Sequence, residues 1–96
     1  MNILNLIVSE AADNDIREIY DFILKNSGFE ERALKIVDDI YYSAELLAEF
    51  PLIGRAYDYI YEGVRIFPMR KTASIIYMAS ETEIQILRVF YAGRDF

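Results

Sequence analysis

Five cations in the C-terminal half of the chain, Arg65, Arg70, Lys71, Arg88 and Arg94, share that stretch with Tyr91. Side chains of these types can stabilise charge developing on a phosphate or anchor a desolvated protein interface, where arginine is enriched among the residues that dominate binding. Arg88 is the most informative, because it stands inside Ile84-Gln85-Ile86-Leu87-Arg88-Val89-Phe90. Strict alternation along a strand places it with Ile84, Ile86 and Phe90. A guanidinium among core residues needs a partner, since an unpaired buried charge costs several kcal/mol. An internal carboxylate such as Asp95 or Glu62, or a tyrosine face, would meet that need without any functional role. Arg65 carries the same two readings.

Other chemistry is excluded by residue type. The chain has no histidine and no cysteine, which removes Ser-His-Asp triads, cysteine nucleophiles and zinc sites. No glycine-rich phosphate loop is present, and neither a cofactor nor a metal is expected. The acidic pairs Glu30-Glu31 and Asp38-Asp39 fall on helix surfaces and read as solvated faces.

The elements that must position the arginines follow from periodicity. Residues 2–8 form a short strand of β-prone aliphatics. Ser9 caps a helix whose first turn carries Glu10 and Asp13, and whose apolar stripe runs through Ala12, Ile16, Ile19, Tyr20, Ile23 and Leu24. Gly28 ends it. Ser27 and Glu30 have capping-box spacing for a second helix, which Pro51 stops. So short a link makes the two helices an antiparallel hairpin. Tyr57, Tyr59 and Tyr61 alternate and suggest extended chain, followed by strands over residues 64–69, 73–79 and 84–91. The expected fold is α+β: an N-terminal strand, then a helical hairpin packed on an antiparallel sheet, in the order β-α-α-β-β-β.

Both faces of that sheet are partly apolar, yet one hairpin covers one face. Ile76, Met78, Leu87 and Val89 are the expected lining of the uncovered face and a candidate partner-binding surface. Alternatively, the segment from Tyr57 to Tyr61 folds back over it. A second copy of the chain would fit the face as well as a partner would, so a homodimer is an open alternative.

At 96 residues the chain is one domain. The apolar N-terminus lacks the basic start of a signal peptide and no apolar run reaches the length of a membrane span, so a cytoplasmic protein is expected. The net charge is -6, unsuited to a general nucleic-acid binder. It is uneven: residues 1–50 hold 4 Lys/Arg against 11 Asp/Glu, a balance of -7, whereas residues 51–96 hold 6 against 5, a balance of +1.

Taken in order, Gly63-x-Arg65-x-Phe67-Pro68, Ile75-x-Tyr77, Ile86-Leu87-Arg88-Val89-x-Tyr91 and Arg94-Asp95 resemble the pattern of the ParE/RelE toxin superfamily, ParE branch. Ala12, Asp15 and Ile16, then Tyr20, and the Leu47 to Gly54 stretch with Pro51 extend the resemblance over nearly the whole chain. The resemblance implies a helical hairpin on a sheet and a toxin of a type II toxin–antitoxin module, of the kind tied to plasmid stabilisation. It implies a cognate antitoxin with a DNA-binding N-terminus and an amphipathic tail that wraps the toxin. ParE-like members are associated with poisoning DNA gyrase, and RelE-like members with cleaving mRNA on the ribosome. Arg65, Arg88, Tyr91 and Arg94 are the residues expected at the functional surface. Tyr91 stands where the pattern usually has histidine, and phenols are poor bases at neutral pH. Together with the acidic charge, this favours a gyrase-type or detoxified member over a ribosome-bound nuclease.

Overall fold

The computed structural model describes residues 3–69 and 73–91. Strand β1 (Asn5–Val8) leads into helices α1 (Glu10–Ser27) and α2 (Glu30–Glu49), followed by β2 (Arg55–Ala56), β3 (Val64–Pro68), β4 (Ala73–Ala79) and β5 (Glu83–Tyr91). The fold is the expected α+β arrangement, with the five strands in one mixed sheet ordered β1-β5-β4-β3-β2. Strands β3, β4 and β5 form the antiparallel meander. The N-terminal strand joins it at the far edge, parallel to β5, with Leu6 opposite Ile84 and Val8 opposite Ile86.

Local chemistry explains the helix ends. The Ser9 hydroxyl accepts from the Ala12 N–H at 3.1 Å and also donates to the Leu87 carbonyl at 2.9 Å, so the cap of α1 is tied to β5. Gly28 closes α1 in the left-handed region (φ 75°), where a side chain costs about 1–2 kcal/mol. The capping box does not form. Ser27 Oγ donates to the Ile23 carbonyl and accepts from the Phe29 N–H, finishing α1 instead, while α2 starts at Phe29 with no side-chain cap.

Ile16, Ile19 and Ile23 of α1 and Ile40, Ala44 and Leu47 of α2 bury one sheet face, contributed by Ile75, Tyr77, Ile84, Ile86 and Val89. Two expectations about the other face are corrected. The chain from Tyr57 to Tyr61 is a tight turn rather than extended: the N–H groups of Ile60 and Tyr61 both donate to the Tyr57 carbonyl. Tyr59, Ile60 and Tyr61 are largely exposed, while Val64, opposite Met78 and bonded to both ends of this turn, is buried. Strand parity also changes inside β5. Tyr77 faces Ile86 but Ile76 faces Arg88, which leaves Leu87 as the extra residue of a β-bulge. The bulge turns Val89 into the core at 2% exposure and Phe90 outward. Val89 therefore does not line the uncovered face. Ile66, Ile76, Met78, Leu87 and Phe90, partly or fully exposed, remain on it.

Candidate functional site

Arg88 finds its partner on α1 rather than in Glu62, and the candidate Asp95 lies outside the described residues. Its Nε and Nη2 donate to the two carboxylate oxygens of Asp15 at 2.7 and 2.9 Å, and the Val89 N–H donates to the same carboxylate at 3.0 Å. Position explains the arrangement. β1 ends at Val8 and Ser9 takes the Ile86 carbonyl, so the continuation of β5 lacks a neighbouring strand on that side. Asp15, nearly buried, supplies the acceptor that a strand would have offered. The hydrogen bonds and charge of Asp15 raise the Arg88 pKa further above its already high value. The exposed part of the guanidinium lies 5.3 Å from the centroid of the Phe90 ring, on the uncovered face of the sheet.

Arg65 is also engaged. Its Nη1 donates to the carbonyls of Gly54 and Leu52, at 2.6 and 3.3 Å, holding the turn that follows α2. Its cross-strand neighbour Tyr77 works on the same turn. The fully buried Tyr77 hydroxyl accepts from the Gly54 N–H and donates to the Pro51 carbonyl, both at 2.9 Å. Burial pushes the Tyr77 phenol above its ordinary pKa of 10.0, and the Gly54 hydrogen bond and the Arg65 charge draw it part of the way back. A folded-state pKa raised above the unfolded value means stability that is whole below about pH 10 and lost as pH climbs through the folded value. Unfolding followed by circular dichroism is therefore expected to show a stability loss above about pH 10. A Tyr77→Phe variant should remove part of that pH dependence and cost about 1–3 kcal/mol at neutral pH, because two buried backbone groups lose their partner.

Tyr91 ends β5 and lines a small pocket of about 140 Å³ together with Arg88, Asp15 and Glu18. Its ring meets Phe22 edge-on at 5.9 Å and lines a cleft of about 460 Å³ between α1, α2 and the end of β5. Ile23 and Ile36 line the cleft with Arg32, Lys35 and Asp39, and Lys35 pairs with Asp39 at 3.2 Å. The sequence reading did not single out Arg32 or Lys35, and their i, i+3 spacing was the available signal. Arg94, Arg70 and Lys71 lie outside the described residues. Arg88 and Tyr91 thus share one pocket at the end of β5, whereas Arg65 stands apart on β3. No group of three or more acidic, histidine or cysteine side chains that could hold a metal occurs among the described residues. No helix among them is long and apolar enough to cross a membrane.

Three comparisons bear on identity. The family model described as the ParE toxin of the type II toxin–antitoxin system parDE matches residues 6–96. A structure titled as the chromosomal ParDE toxin–antitoxin system of P. aeruginosa is 30% identical, with a TM-score of 0.77, covering 93% of this chain and 96% of that one. A solution structure of the Helicobacter pylori protein HP0894 shows 16% identity and a TM-score of 0.47 over 97% of this chain and 99% of that one. A search of curated proteins gave no match. The family match spans both the hairpin that supplies Asp15 and the strand that supplies Arg88, and on it the chain belongs to the ParE toxin family of type II toxin–antitoxin systems.

Proposed function

We propose that the chain is the growth-inhibiting component of a ParDE-type pair, that it acts by binding a protein target, DNA gyrase, and that a co-expressed antitoxin neutralises it. The observation that carries this reading is the 30% identity over 93% of the chain to a structure titled as a ParDE system. The arginine geometry supports binding over cutting. Arg88 and Arg65 spend donors on Asp15 and on two loop carbonyls and stand on β5 and β3 with β4 between them, so the two arginines assemble no common cradle for a phosphate. Arg88 and Arg65 are then positioning residues of the fold, and Arg88 also presents charge beside Phe90 at the surface. Arg94, with no structural description, stays in the proposal as a target-contacting residue.

The antitoxin is assigned to the uncovered sheet face, where Ile76, Met78 and Leu87 lie beside Phe90. An amphipathic segment laid there would remove this apolar surface from water. Exchanging Ile76 and Met78 together for serine should weaken the toxin–antitoxin complex by roughly 10-fold or more, measured by titration calorimetry. The unfolding midpoint of the free toxin should fall far less.

The function itself is tested with the purified chain in two assays. Inhibition of gyrase supercoiling with intact mRNA in a translating extract is the expected pair of results. Codon-positioned mRNA cuts with normal supercoiling would replace the proposal with a RelE-type endonuclease. Inactivity in both assays alongside a tight antitoxin complex would mark a detoxified, antitoxin-sequestering member.

A further inference from the structure

Unpaired N–H and C=O groups at a sheet edge invite a further strand, and proteins ordinarily guard such edges with lysine, proline, a bulge or a covering element. β1 forms one edge of this sheet and carries neither a charge nor a proline, and its register is unbroken. The chain holds two runs of nine residues without a charged side chain, 1–9 and 72–80. The second contains β4, which lies between β5 and β3 and has no open edge to guard. The first contains β1, where the same composition at an edge calls for a different reason.

The register with β5 shows which backbone groups face outward. The Asn5 N–H donates to the Thr82 carbonyl and the Ser9 N–H to the Ile86 carbonyl, so Asn5, Ile7 and Ser9 turn inward to β5. Leu4, Leu6 and Val8 therefore turn their backbone groups to the open side. The Leu4 N–H donates to the Ala48 carbonyl at 3.0 Å, where the end of α2 closes the edge. Leu6 and Val8 remain, and among the described residues no strand pairs with β1 on that side. Their side chains pack against the core, which places Ile7, 39% exposed, on the uncovered face.

We infer that β1 is a self-pairing edge, joining a second copy of this chain antiparallel across a two-fold axis at Ile7. The proposal is independent of the toxin reading. With Ile7 opposite Ile7 of the second copy, Leu6 of each copy falls opposite Val8 of the other. Each of these pairs exchanges two N–H···O bonds, which employs every outward group of Leu6 and Val8. Asn5 falls opposite Ser9, and Glu10, the first charged residue, falls opposite Leu4. Apolar thus meets apolar, polar meets polar, and no like charges are opposed, as stable cross-strand pairs require. A pairing centred on Leu6 would instead call on the Leu4 N–H that Ala48 already holds. The missing charge is what favours a copy over another partner. Two chains of net charge -6 can approach closely only across an uncharged strip, whereas a partner selected by charge finds nothing complementary here. The interface is small, so association depends on concentration.

The chain has no cysteine, so a single introduced thiol reports the register. Directly opposed residues of a non-hydrogen-bonded antiparallel pair lie about 4.5 Å apart at Cα, within the span of a disulfide. Ile7→Cys is expected to give a covalent dimer under mild oxidation. Asn5→Cys should not, because the two copies of position 5 are about 13 Å apart along the strands. Ile7→Lys sets two like charges face to face and should weaken association by at least about tenfold, read by sedimentation from about 1 μM to 1 mM. Its unfolding temperature in dilute solution should match the wild type, and should it fail to fold, the two cysteine variants still decide. Wild-type protein that stays monomeric throughout the series would overturn the proposal, as would a dimer that folded Ile7→Lys leaves intact. Equal cross-linking of both cysteine variants would overturn the register and the two-fold axis with it. A monomeric wild type whose antitoxin no longer co-purifies once Ile7→Lys is introduced would give the edge to the antitoxin instead.

Discussion

Replacing Asp15 by alanine is expected to destabilise the protein more than replacing Arg88, its partner, does. The Asp15 carboxylate accepts three hydrogen bonds, two from Arg88 and one from the Val89 N–H. Without it, the Val89 N–H is left in the core with no acceptor, which alone costs about 1–3 kcal/mol. For a chain of this length that corresponds to a fall in melting temperature of roughly 4 °C or more. Arg88→Ala leaves the Val89 N–H on Asp15, and truncating a side chain already half in water opens the Asp15 carboxylate to water or to protonation, so its loss is the smaller of the two. Asp15→Asn should fall between them, since the amide oxygen retains one acceptor. Thermal unfolding of the three variants gives the ranking, and a larger loss in Arg88→Ala would contradict the assignment of Asp15 as a surrogate strand partner.

Gly54→Ala is expected to disrupt the turn after α2. A Cβ built on Gly54 would lie 2.6 Å from Cε1 and 2.9 Å from Cζ of Tyr77. Tyr77 is fully buried, its hydroxyl bonded to two backbone groups of this same turn, and it has nowhere to retreat. Overpacking of this kind costs about 1–3 kcal/mol, and the two hydrogen bonds are at risk with it. Gly54 is thus required for space. Gly28 differs: a Cβ there would meet nothing within 4 Å, and the requirement is its positive φ. Gly28→Ala should therefore lower stability without altering the turn, whereas Gly54→Ala should also change the near-ultraviolet signal of the tyrosines.

What could be read from the sequence was local. The Ser9 cap, the Gly28 terminus and the apolar stripes of both helices depend on neighbours within four residues, and the structure has them where spacing puts them. The bulge at Leu87 was not legible, because alternation assumes an unbroken register and nothing about leucine announces an extra residue. One inserted position was enough to exchange the faces of Val89 and Phe90. The Tyr57, Tyr59 and Tyr61 alternation imitated a strand, although the Tyr57 carbonyl closes a tight turn. Asp15 was visible as a polar residue in the first helix, but its partners Arg88 and Val89 lie 73 and 74 positions away. No short-range pattern encodes such a pairing. Arg65 and Arg88 likewise share the cationic half of the sequence but stand on β3 and β5, with β4 between them.

Growth inhibition by this chain and its relief by a cognate antitoxin are the central proposal, and induced expression with and without that antitoxin tests it most directly. Expression of the chain alone should arrest growth, and co-expression should restore it. Unimpaired growth under expression of the chain alone, with the protein present in folded form, would contradict it.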